Sequence, residues 1–200
     1  MPGRMTAIKG HIDFIKAMEL QGLKNCAAIL IDVHPEHGGN HLRRMLEVAE
    51  EARATCDLEI LTLPRIDNMP ALLHCCSLVV VPTKIEETFC RTVIEALAMG
   101  CPVVAYEGGG VSEIHEELLN EGGGEYAKRL KLVEKNEIPQ LAASIREALK
   151  DDRTTEVLSN RLKGSLDGIS LEVSKFARER WSSRSMADSE LQLHRSIARS

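Results

Sequence analysis

Residues 86–110, EETFCRTVIEALAMGCPVVAYEGGG, constrain the fold more tightly than any other stretch of this 200-residue chain. Residues 92–99 (TVIEALAM) read as a helix that is apolar on nearly every side. Residues 101–105 (CPVVA) follow as a buried strand, and Gly108, Gly109 and Gly110 as a flexible loop. One carboxylate, Glu95, sits inside that helix, and a buried carboxylate is costly unless something hydrogen-bonds it. Glu87 lies eight residues earlier, in the loop that feeds the helix. Strand, acidic loop, helix, strand and glycine loop in this order form one edge of an open α/β sheet, where such sheets bind ligands.

The remaining pattern agrees with that edge. Strands are expected over residues 27–33, 58–63, 78–81 and 129–133, and helices over 11–20, 41–54, 71–76, 111–119, 139–149 and 153–162. Asn40 is placed to cap the second helix, and residues 122–124 (GGG) read as a turn. Regular strand–helix alternation means βαβ units, so the expected fold class is α/β, a Rossmann-like parallel sheet with flanking helices. Aromatic residues are only 3% of the chain, so Leu, Val, Ile and Ala must fill the core. A net charge of −5 argues against nucleic acid as the main partner. No apolar run reaches the 18 or so residues of a membrane span, and six cysteines without a regular framework read as reduced thiols, so the expected location is cytoplasmic.

Glu87-x7-Glu95, with Phe89 between them, EALAMGCPVVA behind and Gly109-Gly110-x-x-Glu113 further on, resembles the signature of retaining GT-B glycosyltransferases. The chain is most similar to bacterial sugar transferases of lipopolysaccharide and polysaccharide assembly. The opening Gly3-Arg4-x4-Lys9-Gly10 matches a second motif of that family, which there follows directly on a hydrophobic strand. The motif also has a physical reading of its own. An Arg and a Lys five residues apart in a glycine-flanked loop can converge on one anion, Arg as a fork and Lys as a point charge.

The resemblance implies the C-terminal, donor-binding half of a GT-B enzyme, with the first strand and the N-terminal domain lying ahead of Met1. Residues 1–165 would form the donor-binding domain, and residues 166–200 a crossover helix and polar tail. The substrate would be a nucleotide-diphosphate sugar, with no cofactor and no metal ion. Arg4 and Lys9 would meet the diphosphate, Glu87 the donor sugar and Glu95 the ribose hydroxyls. Phe89, Cys90, Arg91 and Thr92 would line the helix start, whose free N–H groups favour phosphate. The acceptor, a saccharide or a lipid-linked one, would be held mainly by the N-terminal domain, so the chain alone is expected to bind donor weakly or not at all and to transfer no sugar. Three positions depart from the pattern. Thr88 and Cys90 stand where glycines are common, and Val33-His34-Pro35 replaces a glycine turn.

Other readings remain beside this one. A second GT-B activity, an epimerase or a phosphorylase, would use the same motifs, and a non-catalytic module would only bind nucleotide or pack against a partner. The sequence argues against a dinucleotide oxidoreductase, because no G-x-G-x-x-G follows any strand. His34, His37 and His41 read as loop histidines without a fourth ligand, and His74-Cys75-Cys76 as a small buried helix face. Val173, Phe176, Ala177 and Trp181 form an apolar stripe beside Lys175, Arg178 and Arg180. That stripe is expected to pack on the partner domain, with peripheral contact at the inner face of a membrane as the second use.

Overall fold

The computed structural model describes residues 1–22, 26–33, 39–56, 58–150 and 168–181. Five strands appear among them: β1 Ala27–Ile31, β2 Glu59–Leu63, β3 Val79–Val81, β4 Val103–Tyr106 and β5 Leu130–Val133. Every pairing is parallel, as β1–β2 and β3–β4–β5. β3 and β4 are buried at every residue, which is why they read as continuous apolar runs rather than alternating ones. Val104 and Tyr106 point to one face and Val103 and Ala105 to the other, so the two-residue period of β4 feeds two separate cores.

Among the described residues seven helices flank the strands: α1 His11–Gln21, α2 Gly39–Thr55, α3 Met69–Cys75, α4 Arg91–Ala98, α5 Gly110–Ala127, α6 Ile138–Lys150 and α7 Gly168–Arg180. α1, α2 and α6 enclose the first core through Ile15, Met45, Ala52, Leu141 and Ile145. α4, α5 and α7 enclose the second through Val93, Leu97, Leu118 and Val173. No described helix is long and apolar enough to cross a membrane.

Residues 122–124 interrupt α5 where the sequence expects a turn: Gly123, with φ 61° and ψ −154°, is non-helical and separates two helical segments at a kink. Two sequence expectations are corrected here. Asn40 lies inside α2, and its Oδ1 accepts from Arg43 at 2.6 Å instead of capping the helix. The apolar stripe on α7 is not left for a partner, since Val173, Ala177 and Trp181 are buried against this domain's own second core. Ser174 Oγ donates to Ala98 O at 2.6 Å, as does Arg178 Nη2 at 3.0 Å, and Trp181 Nε1 donates to Glu117 Oε2 at 3.0 Å. The helix expected over 153–162, the tail from 182, and His34 and His37 lie outside the described residues.

The sheet is divided. β1 and β3 do not pair, and a cavity of about 290 Å³ separates them, lined by Met1, Phe14, Ala27, Ile29, Leu78 and Val80 among others. Pro2 bridges Ile31 in parallel, Met1 N donates to Ile29 O at 2.7 Å, and Ile31 N donates to Met1 O at 3.2 Å. Burial pushes the Met1 ammonium pKa down to about 6. On the far side Val79 N–H donates to Pro102 O, toward β4, so alternation along the ladder turns the Val80 N–H and C=O toward the cavity. The sequence expects a first, central strand ahead of Met1; in the structure Met1 and Pro2 pair with β1 beside this cavity.

Candidate active site

Three loops meet at one end of the second sheet: residues 3–10, residues 82–90 and residues 107–110. Backbone groups button them together. Lys84 N–H donates to Ile8 O at 2.7 Å, and Gly110 N–H donates to Glu87 O at 2.7 Å. The approach is so close that a Cβ on Gly109 would lie 2.5 Å from Glu87 O, and one on Gly110 2.7 Å from Thr88 O. Those two glycines are therefore required by contact with the acidic loop, whatever else the site binds.

The loops bring Lys9 and Glu87 into an ion pair across 78 residues of sequence. Both side chains keep about one-fifth of their surface in solvent (22% and 19%), so a ligand can reach either. Arg4 is exposed on the same loop as Lys9. Gly10, with φ 74°, turns that loop directly into α1, and a Cβ there would fall 2.0 Å from Pro82 O.

α4 differs from its sequence reading. Val93, Ile94, Ala96 and Leu97 are buried, but Glu95 is exposed. The helix is amphipathic, with its carboxylate on the outer face, so Glu95 needs no partner inside the protein. Phe89 is exposed, Arg91 is exposed and Thr92 is half-buried, all around the start of α4. Cys90 turns into the core at 2% exposure, and burial, with the Glu87 carboxylate nearby, pushes its thiol up to about 12. Its side chain thus stays clear of the loop surface, while Thr88 remains exposed. Among the described residues no three His, Cys, Asp or Glu side chains are grouped to hold a metal ion.

Residues that the sequence did not single out complete the arrangement. Asp13 Oδ1 pairs with Lys84 Nζ at 2.8 Å, and Asp13 Oδ2 accepts from Tyr106 Oη at 3.0 Å. Burial and the Asp13 carboxylate raise the Tyr106 phenol pKa. Lys135 Nζ reaches over Gly108 to Glu86 Oε1 at 3.4 Å, and Gly108 N–H donates to Ser112 Oγ at 2.8 Å. No spacing in the sequence announces these contacts, because their partners come from different elements.

His11 opens α1 with no exposed surface, its Nε2 3.3 Å from Gly3 O and its ring 5.9 Å from that of His41. Burial holds its pKa down to about 4. The unfolded chain takes up that proton near the ordinary 6.5, so between the two values it binds more protons than the folded one and stability falls as pH drops. The loss from this one group should approach about 3 kcal/mol near pH 4. Urea unfolding of the chain and of His11→Leu at pH 7 and pH 4.5 checks this. Equal acid sensitivity of the two would refute it.

Comparison with known proteins follows the same lines. Residues 1–151 match the family described as "Glycosyl transferases group 1". A lipopolysaccharide 1,2-N-acetylglucosaminetransferase of Salmonella typhimurium is 30% identical over 117 residues, 56% of this chain and 30% of that protein. Among solved structures, Anabaena HepE in complex with UDP superposes with a TM-score of 0.72 at 21% identity, covering 99% of this chain and 47% of its own. A glycosyltransferase from Rickettsia africae gives 0.73 at 21% identity, with the same coverage. The chain therefore spans about half the length of these solved structures and under a third of the curated relative.

Proposed function

The chain belongs to the group 1 glycosyl transferases, and from that membership we propose that it is the donor-binding part of an enzyme that moves a sugar from a nucleotide-diphosphate sugar to an acceptor, with retention and without a metal ion. The observation that carries this reading is the Lys9–Glu87 pair, held where the two glycine loops meet and beside the start of α4.

As the glycosidic bond of a nucleotide sugar breaks, negative charge grows on the diphosphate and positive character on the anomeric carbon. Cations fixed at the diphosphate lower that barrier directly. Lys9 and the exposed Arg4 are suited to this, and the N-terminal N–H groups of α4 add the positive end of a helix dipole. Diphosphate binding would draw Lys9 away from Glu87. The freed carboxylate would then accept hydrogen bonds from the sugar and favour its developing positive charge. Glu95, on the outer face of α4, would hold the ribose hydroxyls.

The neighbouring structures carrying UDP and UDP-glucose favour uridine nucleotides as the first donors to test. The Salmonella relative favours an acceptor of the lipopolysaccharide type. An N-terminal domain would supply the acceptor groups, in keeping with the share of the neighbours that the chain does not span.

Glu87 competes with phosphate for Lys9 in this reading. Glu87→Gln should therefore tighten UDP binding by about threefold to tenfold, a gain of about 1 kcal/mol from releasing a partly exposed pair, while abolishing sugar transfer in the two-domain enzyme. Calorimetric titration of UDP into both forms checks the first half. Weaker UDP binding by Glu87→Gln would contradict the assigned roles.

A further inference from the structure

A site assembled from loops keeps its geometry only if something outside those loops fixes their spacing. Asp13, in the first turn of α1, is 4% exposed and three residues beyond Gly10. Its two carboxylate oxygens serve different loops. Oδ1 holds Lys84, three residues ahead of Glu87, and Oδ2 holds the hydroxyl of Tyr106, two residues ahead of Gly108. Lys84 in turn binds Ile8 O through its backbone N–H, beside Lys9.

We propose that Asp13 is the positioning residue of this site: through Lys84 and Tyr106 it sets the spacing of the Lys9, Glu87 and Gly108–Gly110 loops without itself touching substrate. The inference rests on the donor-site reading for its purpose, though its geometry stands independently. Stability alone does not call for a carboxylate here. A buried charge surrounded by partners is often replaced by apolar residues at no loss, so what the carboxylate adds is direction. Two oxygens at fixed angles tie two loops to one helix start, and an apolar side chain would fill the same space without specifying which loop sits where.

Three backbone N–H groups report the loop junctions: Lys84 to Ile8 O, Gly110 to Glu87 O, and Gly108 to Ser112 Oγ. Amide hydrogen exchange at these groups, against β5 as internal reference, tests the proposal in the full chain well below its melting temperature. Asp13→Asn should speed exchange at all three by tenfold or more relative to β5. Lys84→Met should act mainly on the Lys84 and Gly110 junctions, and Tyr106→Phe mainly on Gly108. Leu141→Ala, a core change on α6, should speed loops and β5 alike. Equal acceleration of loops and β5 in Asp13→Asn would overturn the proposal and leave Asp13 a stability residue. UDP affinity should fall about tenfold in Asp13→Asn in step with loop exchange, and an unchanged affinity would overturn the purpose assigned to the spacing. If no form binds UDP, the purpose assigned to the spacing finds no support, and the exchange result still decides the role of Asp13.

Discussion

Lys9→Met should weaken UDP binding by about 30-fold to 100-fold. The side chain keeps its length and loses only its charge, so the expected change is that of a charge-assisted hydrogen bond to phosphate, about 2–3 kcal/mol. The fold should tolerate the change. Glu87 loses its partner, but about one-fifth of its side chain already meets solvent, and an ion pair that open contributes about 1 kcal/mol or less. Titration by calorimetry, or by ligand-observed NMR for weak complexes, reads the affinity, and a melt under the same buffer verifies folding. Arg4→Met should act in the same direction and less strongly, since Arg4 is the more exposed of the two. Unaltered UDP binding in folded Lys9→Met would remove the diphosphate from this loop.

The second large effect concerns stability. An extension of four β-branched apolar residues placed ahead of Met1 should enter the cavity between β1 and β3 and raise the melting temperature by about 10 °C. Four such side chains taken from water contribute about 6–12 kcal/mol. Ordering four residues costs about 6 kcal/mol. New ladder hydrogen bonds to β1 and β3 add about 1 kcal/mol each. A net gain of about 4 kcal/mol corresponds to roughly 10 °C in a chain of this size. The extension also replaces the buried Met1 ammonium, which burial already pushes to about 6, by a neutral peptide group. A Gly-Ser extension of equal length should give no rise. If both extensions leave the melt where it was, the cavity does not accept a strand.

Much of this fold is written locally. Runs such as Val79–Val81 and Val103–Tyr106 read as buried strands by their shortness and their valines, and their alternation with helices points to a parallel sheet. Lys9 and Glu87 were each singled out by their motifs, but their ion pair was not read, because the loops that carry them lie 78 residues apart. Glu95 was misread for a simple reason. Ala96 and Ala98 count as apolar in any periodicity, yet their small side chains do not show which face of the helix meets solvent, and the carboxylate lies on the open one. Asp13 and Tyr106 were invisible because 93 residues separate them and neither stands in a motif. The stripe on α7 was recognised as apolar, but not what covers it. That depends on how α4 and α5 present Leu97 and Leu118, which no local pattern encodes.

The docking of α7 bears on where this unit stops. Ala98 O, at the end of α4, is held by Ser174 and Arg178, and Val173, Ala177 and Trp181 seal the second core beside Val93 and Leu97. The match to the family stops at residue 151, whereas the packing that supports α4 depends on side chains as far as residue 181. Cutting the chain at residue 151 would uncover the back of the helix whose front faces the candidate site.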